Sequence, residues 1–88
     1  MEVTKKYIQK NLEKTKKAVN SVKVSSKGEK LFDMVERYVS DAEFFMENGK
    51  LNEALGAVEY AHGLLDAGVY MGLFEVLENA DLFVFKKD

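Results

Sequence analysis

Glu59, His62 and Asp66 are spaced i, i+3 and i+7, which places three proton-handling groups along one flank of a helix. His62 is the only histidine in the chain. Its ordinary titration range straddles neutrality, so proton transfer near pH 7 would have to run through it. Glu59-x-x-His62 also matches the Glu-x-x-His element of di-iron bundles, but such a site needs two of these elements and two further glutamates. A second copy would supply the missing element. Glu36 and Glu43, the conceivable extra ligands, project from the solvated side of their own helix, so no metal and no cofactor are expected. With no cysteine in the sequence, thiolate metal sites and disulfides are excluded. Gly-x-Gly-x-x-Gly and Gly-x-Ser-x-Gly are absent, which removes the dinucleotide fingerprint and the serine elbow. The single arginine, Arg37, belongs to a different helix from His62, so an arginine–histidine ribonuclease pair fails on spacing.

His62 falls inside an apolar stripe, between Val58 and Leu65. One reading is a buried histidine whose ring nitrogens are satisfied by Asp66 or Asp41, locking two helices in register, because buried polar groups find partners. The other is a ligand site. In an antiparallel hairpin turning near Gly49, Tyr38 is expected opposite His62 and Asp41 one turn along. Tyr38, Asp41, Glu59, Tyr60, His62 and Asp66 then form the candidate site, suited to a nucleotide or phosphate. No catalytic residue is assigned.

These groups depend on helices for their placement. The chain has no proline, and apolar residues recur at helical spacing. A first helix is expected near Glu2–Val22, with Ile8, Leu12, Thr15, Val19 and Val22 as its stripe and lysines on its other sides. Ser26 and Glu29 read as a capping box, starting a second helix over about Lys27–Asn48 on a stripe of Leu31, Val35, Tyr38, Ala42 and Phe45. Asn48-Gly49 is a helix stop, and so short a turn returns the next helix antiparallel. That third helix begins near Leu51 and ends or kinks at Gly72. Gly56, Gly63, Ala67 and Tyr70 share a side of it that carries almost no charge. Glycine inside a helix costs about 0.8–1 kcal/mol relative to alanine, so a close approach to the backbone is expected at Gly56 and Gly63. Two helices cannot cover such a surface completely; either the C-terminal segment or a second copy must. Leu73 to Ala80 reads as a short fourth helix, and Leu82-Phe83-Val84-Phe85 as an extended, docked tail closed by Lys86, Lys87 and Asp88. Gly56, Gly63, Ala67, Tyr70, Phe83 and Phe85 are the candidate interface.

Eighty-eight residues, 47% of them apolar, make one domain over residues 1–88 with a modest core. The net charge of −2 hides an asymmetry: residues 1–30 carry +6 and residues 31–88 carry −8. A basic helix packed beside acidic ones accounts for this. The lysines are not interleaved with exposed aromatics or arginines as nucleic-acid readers require, so nucleic acid is a weak third alternative, through the first helix. No apolar run reaches the ~20 residues of a membrane span, and the lysine-rich start lacks the apolar core of a signal peptide. A cytoplasmic protein is expected.

Tyr38-x-x-Asp41-Ala42-x-x-Phe45, then Gly49, Glu53-Ala54 and Tyr60-Ala61-His62-Gly63-x-Leu65-Asp66-Ala67-Gly68, together resemble a small archaeal family, the domain of unknown function 357. The resemblance covers about Leu31 to Gly72. It implies a helical bundle, an archaeal source and no established activity. Some relatives resemble C-terminal appendages of cytidylyltransferase-like domains, which implies a nucleotidyltransferase-like partner. The expectation is therefore an all-α, antiparallel three-helix bundle with a short C-terminal helical or extended segment. Its expected role is that of a non-catalytic binding or interaction module that forms a homodimer.

Overall fold

Thr4 starts the first helix, α1 (Lys5–Val19), by accepting the Tyr7 N–H at its hydroxyl, 3.1 Å away. The structure is a computed structural model that describes residues 2–85. Lys86, Lys87 and Asp88, expected to close the tail, lie outside the described residues. Ile8, Leu12, Thr15 and Ala18 are buried at helical spacing on one side of α1. The helix stops three residues before Val22, because Val22 belongs to a strand. That strand, β1 (Val22–Val24), pairs antiparallel with β2 (Phe74–Val76), with Val22 opposite Val76, Lys23 opposite Glu75 and Val24 opposite Phe74. Apolar-charged-apolar alternation puts both ends of each strand inward and Lys23 and Glu75 outward. Ser21 is buried and donates its hydroxyl to the Lys17 carbonyl, at 2.7 Å, at the join of helix and strand.

The expected capping box at Ser26 and Glu29 does not form. Ser26 instead opens a 3-10 turn (Ser26–Gly28), and α2 (Glu29–Glu47) follows directly, neither with a side-chain cap. Packing explains this: a Cβ on Gly28 would lie 2.9 Å from the Leu73 carbonyl oxygen. The segment before β2 therefore presses on the entry to α2, and the Ser25 N–H bonds to that same carbonyl at 2.9 Å.

Val35, Val39 and Ala42 form the buried side of α2. Gly49 follows with φ +75°, and the chain reverses as expected. The Lys50 N–H returns to the Phe45 carbonyl at 2.9 Å and the Gly49 N–H to Met46 at 3.2 Å, satisfying carbonyls that the helix end leaves free. α3 (Leu51–Tyr70) runs back along α2 and ends in the same motif at Gly72, φ +76°, where the Leu73 N–H bonds to the Gly68 carbonyl at 2.8 Å.

The fourth helix expected over Leu73–Ala80 is absent. Phe74-Glu75-Val76 alternates and finds Val22-Lys23-Val24 as a ladder partner, so it is strand β2. Only a 3-10 turn, Ala80–Leu82, follows it. The core joins all three helices with Phe74 and Phe83, the latter from the C-terminal segment. The architecture is thus a three-helix bundle, mostly all-α, with a two-stranded ribbon at one end. No helix of the described residues is long and apolar enough to cross a membrane.

Candidate functional site

Val58, Ala61 and Leu65 point from α3 into the core. His62 stands on the flank of that stripe, and the flank faces α1 and the C-terminal segment rather than α2. Both of its ring nitrogens are engaged. Nδ1 lies 2.9 Å from the Thr15 hydroxyl of α1, and Nε2 lies 2.7 Å from the Leu82 carbonyl. A carbonyl only accepts, so Nε2 carries the proton and donates it. With that tautomer, Nδ1 is the acceptor for the Thr15 O–H. One turn along α3, Asp66 is 8% exposed. Its Oδ1 accepts the Val84 N–H at 2.9 Å, and its Oδ2 lies 3.9 Å from His62 Nε2.

Between these two bonds Phe83 enters the core, 4% exposed, with its ring 6.4 Å from the imidazole. The segment Leu82–Val84 is thus held at two backbone groups by side chains of α3 and anchored by one aromatic side chain. Upstream, Asn79 donates from its side chain to the Ser21 hydroxyl at 2.9 Å. Asn79 is the one non-glycine residue with positive φ, 55°, among the described residues.

The six candidate ligand residues are not gathered in one place. His62 and Asp66 are together. Glu59 is exposed but borders the same shallow hollow, of about 260 Å³, with Asn11, Lys14 and Gly63. Tyr38 and Tyr60 meet edge to face across α2 and α3, with ring centroids 4.7 Å apart. Tyr60 rather than His62 is therefore the residue opposite Tyr38. Asp41 is exposed on α2 and makes none of the bonds to His62. Among the described residues, no cluster of three or more histidine or carboxylate groups is placed to hold a metal.

The candidate interface residues also divide. Phe83 is buried where the segment Leu82–Val84, the C-terminal strap, docks on α3, and the Phe85 ring packs at a tilt against Tyr70 with ring centroids 4.7 Å apart. Gly56 and Gly63 are exposed, and a Cβ built on either meets nothing within 4 Å. The close approach expected there within the chain occurs instead at Gly68, where a Cβ would strike the Phe74 ring, and at Gly28. Tyr60, Ala67 and Tyr70 flank the open glycines, and Tyr70 is 71% exposed.

Thr15, Ser21, Asn79, Leu82 and Val84 complete the site and were not anticipated. Thr15 carried a signal, since it is the one hydroxyl in the stripe Ile8, Leu12, Thr15, Val19. The carbonyl of Leu82 and the N–H of Val84 carry none, because every residue has them.

The sequence profile described as "Protein of unknown function (DUF357)" matches residues 6–74, which takes in α1 as well as the hairpin of α2 and α3. No curated protein matches the chain. Among solved structures, the crystal structure of protein AF1782 from Archaeoglobus fulgidus, of the same family, is 26% identical. That match spans 82% of this chain and 91% of the other, with a TM-score of 0.74. The three-helix framework that positions His62 and Asp66 is therefore shared with an archaeal relative, and the chain belongs to the DUF357 family.

Proposed function

We propose that this domain is a non-catalytic interaction module that associates with a second copy of itself through the outward side of α3. The observation that carries the reading is the open pair Gly56 and Gly63. Each glycine costs the helix about 0.8–1 kcal/mol, and neither has a neighbour in its own chain that would clash with a side chain. Small residues there let another helix approach the backbone. Tyr60 and Tyr70 beside them supply the exposed aromatic surface favoured at interfaces. Glu59 is the only charge on the strip that runs through Asn52, Gly56, Gly63, Ala67 and Tyr70.

The surroundings of His62 support a non-catalytic role. A general base needs a ring nitrogen free for substrate, and here Thr15 and Leu82 take both. The hollow beside it is small, and its two carboxylates, Glu59 and Asp66, outnumber Lys14, which disfavours a nucleotide or phosphate.

Light scattering over a range of concentrations tests the proposal. The wild-type chain is expected at the mass of two copies. Gly63→Leu, at a position open in the single chain, is expected at the mass of one, with an unchanged helical circular dichroism spectrum. A wild-type mass of one chain at all concentrations would overturn the reading.

A further inference from the structure

α1 carries Lys5, Lys6, Lys10, Lys14, Lys16 and Lys17 against one acid, Glu13, and all of these are exposed. A basic helix packed beside acidic ones is expected to pair its lysines with those neighbours. Among the described residues only Lys16 does so, with Glu43 of α2. The positive charge of α1 is therefore not neutralised inside the fold.

Nor does the helix itself favour these lysines. Lys16 and Lys17 suit the negative, C-terminal end of the helix dipole, but Lys5 and Lys6 stand at its positive end, in a first turn with no acid. Lys6 and Lys10, and Lys10 and Lys14, are like charges four residues apart, and such pairs repel. Anions arriving from outside relieve that repulsion.

The lysines form a line. Ile8, Leu12, Thr15 and Ala18 face the core. With about 3.6 residues per turn, Lys6, Lys10 and Lys17 fall on the opposite side. Lys14 stands at the edge of the line, beside the hollow that Glu59 also borders. From Lys6 to Lys17 the line runs about 16 Å, at about 1.5 Å per residue. Over that length a double helix presents about five phosphates on each strand, one about every 3.4 Å.

We propose that this line binds the phosphate backbone of a double-stranded nucleic acid, independently of base sequence and of the self-association argued above. The charge complementarity is to a straight, closely spaced row of anions, which a duplex backbone supplies. α1 has no arginine for bidentate base reading. Its one aromatic, Tyr7, stands off the line, so the line offers no platform for the bases of a single strand. Binding to the backbone alone needs neither. A membrane surface fits less well, because the apolar side of α1 is buried in the bundle and is not free to insert. The acids of α2 in a second copy also fit less well. Lys30 and Arg37 interrupt them, and joining two different faces gives an open chain of copies rather than a closed dimer.

Fluorescence anisotropy with a short labelled DNA duplex, over a range of salt concentrations, tests the proposal. Four lysines on phosphates give log K against log salt a slope of about −3.6, at about −0.9 per contact. Affinity is then expected to fall on the order of a hundredfold between about 50 and 200 mM salt, equally for two unrelated sequences. Lys6→Gln, Lys10→Gln and Lys17→Gln are each expected to flatten the slope by about 0.9. Glu13→Gln is expected to tighten binding, and Lys30→Gln, on α2, to leave the slope unchanged. Glutamine is close to lysine in helix propensity and the positions are exposed, so the helical spectrum is expected to persist. No binding at the lowest salt would overturn the proposal. So would an unaltered slope in the α1 variants, or an equal loss in Lys30→Gln, which would mark diffuse attraction. Tighter binding to one strand of the same duplex, or to phosphatidylserine vesicles, would assign the line to a different partner and overturn it as well.

Discussion

The packed and the open sides of α3 are built from similar residues and behave in opposite ways. On the flank toward α1 and the strap, His62 has both nitrogens bonded, and on the side toward β2 Gly68 is pressed against Phe74. Asp66, beside His62, holds a backbone N–H. On the outward side, Gly56 and Gly63 face open space, and Tyr60 and Tyr70 are exposed. The contrast teaches that neither a helical glycine nor a polar group in an apolar stripe has a fixed meaning. What decides is whether another element arrives. The first flank is completed within the chain; the second is left for something outside it.

The largest test of this contrast is on the completed side. Phe83→Ala removes the anchor of the strap and is expected to destabilise the fold by about 3 kcal/mol, the lower end for a buried phenylalanine because the strap is peripheral. Urea unfolding followed by circular dichroism measures it. A loss under about 1 kcal/mol would mean that the strap contributes little to the fold, since buried phenylalanine truncations otherwise cost several times that. Gly68→Ala comes next, at about 2 kcal/mol, because its Cβ meets the Phe74 ring and a packed core resists even one added methyl group. The same change at Gly63 has no such neighbour, so the two glycines must respond with opposite sign.

The helices were legible because burying one stripe forces a 3.6-residue period on the sequence, and α2 and α3 run where Leu31–Phe45 and Leu51–Val69 placed them. The stop at Gly49 was legible for a local reason, the left-handed conformation that glycine alone adopts freely. What depended on distant residues was not. Val22-Lys23-Val24 and Phe74-Glu75-Val76 each alternate, but three residues are too few to outweigh the helical pattern around them. Only their pairing across most of the chain makes them strands. Likewise, Asp66 was visible as a neighbour of His62 from spacing along one helix. Thr15 and the Leu82 carbonyl reach the ring from elsewhere. Asp41 was drawn in by a hairpin register that in fact sets Tyr38 against Tyr60.

Thr15→Val sharpens the account of the histidine. It keeps the shape of the buried side chain and removes the hydroxyl beside Nδ1, so the expected loss is about 1 kcal/mol, the net value of one hydrogen bond. Chemical denaturation checks it, and the His62 ring nitrogen shifts in an NMR spectrum are expected to move with it. Unchanged shifts would mean that Thr15 does not bond to the ring in solution.

The smallest effect separates the two sides of α3 most directly, because its sign depends on concentration. In a single chain, Gly63→Ala fills open space and removes a flexible residue from the middle of a helix, so it is expected to stabilise by about 0.8–1 kcal/mol. If a second copy packs its backbone against Gly63, the new methyl group stands in the way, and association weakens. Association stabilises the native state by mass action, so the wild-type melting temperature rises with protein concentration. Gly63→Ala is therefore expected to melt above the wild type in dilute solution and to lose that lead as concentration increases. A constant lead at every concentration would show that nothing approaches Gly63, and the outward side of α3 would then be surface rather than interface.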